Sequence, residues 1–136
     1  MGSRALILLD THALIWLDQD NPTLGLVARQ RAEAALKEQR LAVSAISFWE
    51  VAMLAVKGRI VMEIRVSAWR QDLLDLGLIE MPVTGEIGIA AVHLDHLHGD
   101  PADRIIVATT LSRESVLVTA DRNLLTWSGT LERLDA

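Results

Sequence analysis

Apolar residues occur along this chain in short runs separated by longer segments of helical period. Mostly apolar runs at residues 5–9, 41–45, 78–81 and 116–120 are typical of buried strands, and residues 130–134 are a weaker fifth candidate. Between them, the periodicity predicts helices at residues 11–18, 24–39, 46–57, 66–76, 84–94 and 101–114. Strands that alternate with helices indicate an α/β fold, so we expect a three-layer α/β/α domain with a central parallel sheet.

Several predicted helix ends carry residues suited to them. Pro22-Thr23 can begin the second helix, and Asp100-Pro101 supplies an N-cap followed by proline at the first helical position. Gly58 and Gly77 follow two other predicted helices, at positions where C-terminal glycines are common.

Composition narrows the class of protein. Hydrophobic residues make up 51% of the 136 residues and charged residues 23%, which indicates a globular chain of one domain, residues 1–136. Met1-Gly2-Ser3 could be native, disordered or a cloning remnant, so no inference rests on these three residues. No apolar run approaches the ~20 residues that span a bilayer, and cysteine is absent, which excludes disulfides and thiolate chemistry. A cytoplasmic protein without a membrane partner is expected.

Three aspartates lie where a strand meets a helix or where a helix begins. Asp10 directly follows the run at residues 5–9, and Asp121 follows the run at residues 116–120. Asp103 falls in the first turn of the helix that begins at Pro101, where the helix dipole favours a carboxylate, and Asp100 lies one turn earlier. Each of them could simply cap or stabilise a helix, so none is diagnostic alone.

Glu50 is harder to explain by local structure. It is the only charged residue between positions 40 and 57, and its helical neighbours three and four residues away are mostly apolar. A lone carboxylate on such a surface costs several kcal/mol unless it is protonated or paired. The alternative is local: Ser47 could cap the helix, with Glu50 as its capping-box partner.

The predicted topology brings four of these acids together: Asp10, Glu50, Asp103 and Asp121. The carboxyl ends of parallel strands share one edge of a sheet, and ligands bind where the strand order reverses. Two carboxylates ~5 Å apart repel by about 3 kcal/mol at an effective dielectric constant near 20, so a cluster favours bound cations. Oxygen ligands suit Mg²⁺ or Mn²⁺, which can serve phosphodiester hydrolysis.

The net charge of −5 argues mildly against a nucleic-acid substrate, because phosphate contacts usually come from a basic surface. Eleven of the thirteen basic residues are arginine, the better phosphate ligand. A site built from carboxylates also makes the formal charge more acidic than that of the metal-loaded protein.

Four segments resemble the PIN-domain nucleases and, within them, the VapC toxins of toxin–antitoxin operons. They are residues 9–16 (LDTHALIW), 44–52 (SAISFWEVA), 98–109 (HGDPADRIIVAT) and 117–124 (LVTADRNL). The resemblance implies a PIN fold and a Mg²⁺- or Mn²⁺-dependent endoribonuclease that acts as a toxin, is inhibited by a cognate antitoxin, and forms a homodimer. Asp10, Glu50, Asp103 and Asp121 match the family's acidic quartet, the catalytic and metal-binding residues. Thr11, Asp100 and Thr119 match supporting positions.

Other interpretations are weaker. His93, Asp95, His96 and His98 could bind zinc, but a solvated histidine-rich turn is favoured because no fourth ligand has an obvious spacing. The tryptophans at positions 16, 49 and 69 are expected in the core, whereas Trp127 lies near a loop and could stack on RNA.

Two other classes of protein have features in common with this sequence. A receiver-type domain would need a lysine at the acidic edge, and Lys37 and Lys57 fit no such position. The serious alternative is a non-catalytic RNA- or partner-binding module, which would be expected to lack one or more of the four acids.

Overall fold

The structure is a computed structural model, and it describes residues 5–136. The expectation for residues 1–3 therefore falls outside the described range. Within that range, none of the helices is both long and apolar enough to cross a membrane. The elements, in chain order, are β1 Ile7–Leu9, α1 Thr11–Asp18, α2 Leu26–Lys37, β2 Leu41–Ser44, α3 Ala45–Val56, α4 Val66–Asp75, β3 Ile79–Met81, α5 Gly85–Val92, α6 Pro101–Ser112, β4 Val116–Thr119, α7 Arg122–Leu125 and β5 Arg133–Asp135.

The five strands form one parallel sheet in the order β3-β2-β1-β4-β5. Strand β1 is central, with Ile7 in register with Leu41 of β2 on one side and with Val116 of β4 on the other. The chain builds β2 and β3 on one side of β1 and then returns to build β4 and β5 on the other. The strand order therefore reverses between β1 and β4, which is where a ligand site is expected.

Alternate strand residues point to opposite faces of the sheet, and both faces are covered. Leu9, Val43 and Val118 pack in a core that includes residues of α1, α2, α3 and α4. Leu8 and Leu117 pack in the opposite core with residues of α6 and α7, and α5 packs on α6. The expected α/β/α layering with a central parallel sheet is confirmed.

Most predicted elements are present, with shifted ends. The strand expected at residues 5–9 is shorter, and the one expected at 130–134 begins at Arg133. The prediction that Pro22-Thr23 begins the second helix is wrong, because α2 begins at Leu26. The side chain of Asn21 accepts a hydrogen bond from the backbone N–H of Thr23 at 2.9 Å, so these residues form a turn instead.

The other helix ends follow the sequence signals. Asp100 caps α6 and Pro101 occupies its first turn. Gly58 and Gly77 lie directly after the C-cap residues of α3 and α4, with φ values of 71° and 108°. These left-handed conformations favour glycine, as predicted.

Candidate functional site

A cavity of about 290 Å³ opens at the carboxyl ends of β1 and β4, where the strand order reverses. All four predicted acids line it, together with Asp100. The remaining lining residues are Thr11, His12, Trp16 and Ala120. Among the described residues that line it there is therefore neither lysine nor arginine, and His12 is the one basic side chain in the lining.

Asp10 is the most buried of these acids and uses both oxygens. It leaves β1 and caps α1, where the backbone N–H of Ala13 donates to its Oδ1 at 2.9 Å. The hydroxyl of Thr119 donates to its Oδ2 at 2.5 Å. Burial raises the pKa of Asp10, while the hydrogen bonds from Thr119 and Ala13 oppose that rise.

Thr119 ties the ends of the two central strands together. Its side chain is fully buried at the end of β4, and its hydroxyl accepts a hydrogen bond from the backbone N–H of Asp121 at 3.0 Å. Asp121 in turn caps α7 by accepting from the backbone N–H of Asn123 at 2.8 Å. One hydroxyl thus sets the relative positions of Asp10 and Asp121.

Glu50 approaches the cavity from α3. The hydroxyl of Thr11 donates to its carboxylate and also shares a 2.9 Å hydrogen bond with the hydroxyl of Ser47. Ser44, not Ser47, caps α3, so the capping-box interpretation of Glu50 is wrong. Burial raises the pKa of Glu50, the Thr11 hydrogen bond opposes this, and the negative charge of Asp100 adds to it.

Asp103 completes the cluster from the first turn of α6. Its backbone N–H donates to Asp100 Oδ1 at 3.1 Å, so Asp100 is a genuine helix cap as well as a cavity residue. Its Oδ2 lies 3.0 Å from Nε2 of His98. The pKa of Asp103 is raised to about 6, mainly by burial and next by the negative charge of Asp100, while the His98 hydrogen bond opposes this rise.

His98 is the site neighbour that the sequence interpretation missed. Grouped with His93, Asp95 and His96, it was expected in a solvated loop, and those three residues are indeed exposed. His98 itself is partly buried, and a ring nitrogen and single carboxylate oxygens of Asp103 and Asp121 all lie within 4.8 Å of one another. Its position just before an N-capping aspartate was the available signal.

The tryptophans divide differently from the prediction. Trp69 is buried as expected, and Trp16 is partly buried, lining the cavity with its ring centroid 6.1 Å from that of His12. Trp49 is 56% exposed, so its expected core position is wrong. Trp127, expected near the surface, is buried, and its indole N–H donates to the carbonyl of Asp95 at 2.8 Å.

The electrostatics of the site favour a cation. Burial is the largest cause of the raised pKa of Asp10, Glu50 and Asp103, and in each case neighbouring carboxylates add to it. Ionising all of them together is therefore costly in the metal-free protein. A divalent cation would relieve the repulsion and find a donor set made almost wholly of oxygen, which suits a hard metal ion.

Comparison with known proteins identifies the relatives of this chain. The PIN domain family matches residues 7–126. Ribonuclease VapC22 of Mycobacterium tuberculosis is 39% identical over 119 residues, which cover 87% of this chain and 88% of that protein.

Solved structures share the fold. DNA-bound VapBC from Salmonella typhimurium matches with a TM-score of 0.72 at 20% identity, covering 96% of this chain and 98% of that one. A toxin–antitoxin complex from Klebsiella pneumoniae matches with a TM-score of 0.63 at 23% identity, covering 95% and 96%. With the family match over most of its length and a relative this similar, the chain belongs to the PIN domain family and to the VapC group within it.

Proposed function

We propose that this chain, as a single PIN domain over residues 1–136, is a metal-dependent endoribonuclease and the toxin of a toxin–antitoxin pair. The observation that carries the proposal is one cavity lined by five carboxylates and no lysine or arginine among the described residues. Asp10, Glu50, Asp103 and Asp121 are the proposed catalytic and metal-binding residues. Thr11, Asp100 and Thr119 are the proposed supporting residues.

The residues present fit a divalent metal ion. Their donor atoms are carboxylate oxygens, which Mg²⁺ and Mn²⁺ prefer, and three of the carboxyls have a pKa raised by burial and by neighbouring carboxylates. A bound ion would supply a water of lowered pKa and Lewis-acid stabilisation of the phosphoryl oxygens. We propose Mg²⁺ or Mn²⁺ as that ion.

The chain's own contribution is to hold the carboxylates in place. Thr119 and the α1 backbone each occupy one lone pair on an oxygen of Asp10, which leaves each oxygen a second lone pair for a ligand. Thr11 does the same for one oxygen of Glu50. The hydroxyls therefore orient the acids without neutralising them, as supporting residues around a metal site are expected to do.

RNA is the proposed substrate. A relative 39% identical to this chain is named a ribonuclease. Trp16 and His12 form an aromatic wall at the cavity, and such rings can stack on an unpaired base. The carboxylates would repel a phosphate, so we expect both binding and cleavage of RNA to depend on the metal ion.

The deciding experiment is a cleavage assay with purified protein and a single-stranded RNA. Cleavage is expected with Mg²⁺ or Mn²⁺ and should stop in excess EDTA, then resume when Mn²⁺ is restored. Undiminished cleavage in EDTA would exclude the mechanism. A non-catalytic binding module would instead retain RNA and leave it intact in every condition.

A cognate antitoxin is the proposed protein partner. Two structures that share this fold are VapBC or toxin–antitoxin complexes. The acidic cavity could be blocked by an arginine or lysine from the antitoxin, held at the positions proposed for the metal. A complex in which the antitoxin lies far from Asp10 and Asp103 and leaves metal binding unchanged would contradict this.

A homodimer and a cytoplasmic location complete the proposal. The exposed apolar side chains of Ile89 and Val92 on α5 support self-association, because an isolated chain would leave them in water. Light scattering of the purified protein tests the dimer. Fractionation of cells that produce the protein tests the location.

A further inference from the structure

The loop between α5 and α6 is fastened to α6 by one arginine. The guanidinium of Arg104 donates hydrogen bonds of 2.7–3.1 Å to five backbone carbonyls. These acceptors belong to Ala91, Val92, Leu94, Leu97 and His98. A guanidinium has five N–H groups, so the side chain is saturated, and it holds the loop against the helix that carries Asp103.

His98 is the residue that this loop presents to the acidic cluster. Its Nε2 lies 3.0 Å from Asp103 Oδ2, while its Nδ1 is buried and has no hydrogen-bond partner among the described residues. A proton on Nδ1 would be a buried N–H without an acceptor, which is costly. The tautomer that avoids this cost carries its proton on Nε2 and donates it to Asp103.

We infer that His98 is a positioning residue, held by Arg104, whose Nε2–H fixes the orientation of the Asp103 carboxylate for metal binding. The inference rests on the proposed function, since it assigns a role within the same site. Holding Oδ2 against His98 stops rotation of the carboxylate, so that it presents one arrangement of lone pairs to the ion. Hydrogen-bond partners of this kind commonly account for a 10–100-fold difference in metal affinity.

Direct coordination by His98 is the competing role, and the buried Nδ1 argues against it. A histidine that binds metal through Nε2 must carry its proton on Nδ1, and ligating histidines almost always donate that proton to an acceptor. No described residue offers an acceptor to Nδ1. The positioning role leaves the same nitrogen without a proton, so that no buried N–H lacks an acceptor.

The test is Mn²⁺ binding, followed by electron paramagnetic resonance, for the wild type and four variants. His98→Leu removes the donor, whereas His98→Gln places an amide N–H close to the position of Nε2. His98→Asn places its amide nearer to Nδ1 and should not reach Asp103. His93→Gln makes the same chemical change at an exposed histidine before the same loop.

We expect Mn²⁺ affinity to fall about 10–100-fold in His98→Leu and His98→Asn, and to stay near wild type in His98→Gln and His93→Gln. Pulsed spectra of wild-type protein with bound Mn²⁺ should lack nitrogen coupling from a ligating imidazole. If His98→Leu fails to fold, the contrast between Gln and Asn carries the same information.

Three results would overturn the inference while leaving the proposed function intact. The first is a Mn²⁺ affinity equal to that of the wild type in both His98→Leu and His98→Asn. The second is a Mn²⁺ affinity of His98→Gln as weak as that of His98→Asn. The third is nitrogen coupling in the wild-type spectrum that is lost in His98→Leu. A wild-type protein that binds no Mn²⁺ at all would overturn the proposed function and the inference together.

Discussion

Asp103→Asn is the substitution that best separates a metal-binding carboxylate from a helix stabiliser. The change removes one negative charge and keeps the side-chain shape. If Asp103 served only the helix dipole of α6, its loss would cost about 0.3–1 kcal/mol of stability and leave RNA cleavage largely intact. If it is part of a crowded anionic site, the metal-free protein should become more stable and cleavage should collapse.

The structure sets the size of the effect. The pKa of Asp103 is raised from 3.8 to about 6, so the folded state holds this proton more tightly than the unfolded chain does. At neutral pH, ionised Asp103 therefore costs up to ~3 kcal/mol, at about 1.4 kcal/mol for each pKa unit. After subtracting the helix-dipole and His98 interactions that are lost, we expect Asp103→Asn to gain ~1–2 kcal/mol at pH 7.5 in EDTA. For a domain of this length that raises Tm by ~3–8 °C.

With bound Mn²⁺, the wild-type protein should become more stable than Asp103→Asn. Mn²⁺ at a hundred times its Kd stabilises a protein that binds it only when folded by about 2.7 kcal/mol, and Asp103→Asn should lose most of this gain. Melting curves with EDTA and with Mn²⁺, paired with cleavage rates on the same preparation, measure both effects.

The matched control is Glu80→Gln, which removes a carboxylate of β3 that does not line the cavity. Arg70 bonds both oxygens of Glu80, at 2.6 and 2.8 Å, and lowers its pKa. Losing this paired charge should reduce metal-free stability slightly and leave the response to Mn²⁺ unchanged. An Asp103→Asn protein that melts below wild type in EDTA yet cuts RNA at the wild-type rate would refute the reasoning.

Three other predictions follow from the same site. In EDTA the wild-type protein should lose stability as pH rises from about 4 to about 6, because its buried carboxyls have raised pKa values. An increase in stability over this interval would contradict the raised pKa values. Asp10→Asn should behave like Asp103→Asn in melting and cleavage, and Glu50→Gln and Asp121→Asn should show weaker forms, whereas four variants with wild-type cleavage would remove the quartet from catalysis. Trp16→Leu should raise KM for RNA without changing Mn²⁺ affinity. Trp49→Leu changes an exposed tryptophan outside the cavity and should leave KM for RNA at the wild-type value.

The hydrophobic pattern was sufficient to predict the sheet, because a strand buried on both faces is a short, nearly continuous run of apolar residues. Strands such as Leu41–Ser44 and Val116–Thr119 contain almost only buried residues, and their order along the chain determines which edge their carboxyl ends share. Asp10 and Asp121 could therefore be assigned to that edge without coordinates. Glu50 could be assigned because an isolated charge in an apolar helix needs a partner.

Features that depend on loop conformation could not be predicted from the sequence pattern. His98 reaches Asp103 because Arg104 binds a series of loop carbonyls, and carbonyl positions leave no trace in the residue pattern. Trp127 packs in the core, and the carbonyl that satisfies its buried N–H is that of Asp95, more than thirty residues earlier. Trp49 has apolar neighbours in sequence, yet it lies on the exposed side of α3.

Helix capping and metal binding are compatible uses of one aspartate side chain. Asp10, Asp100 and Asp121 each accept a hydrogen bond from a helix backbone N–H through one oxygen, and all three line the same cavity. The N-termini of α1 and α6 therefore lie beside the acids, and each contributes a partial positive charge of about half an electron that offsets some of their repulsion. Such support explains how a cluster of carboxylates can persist in a folded metal-free protein. It also makes asparagine the informative replacement, because asparagine caps a helix about as well as aspartate does, so the measured change reports the lost charge and not a lost cap.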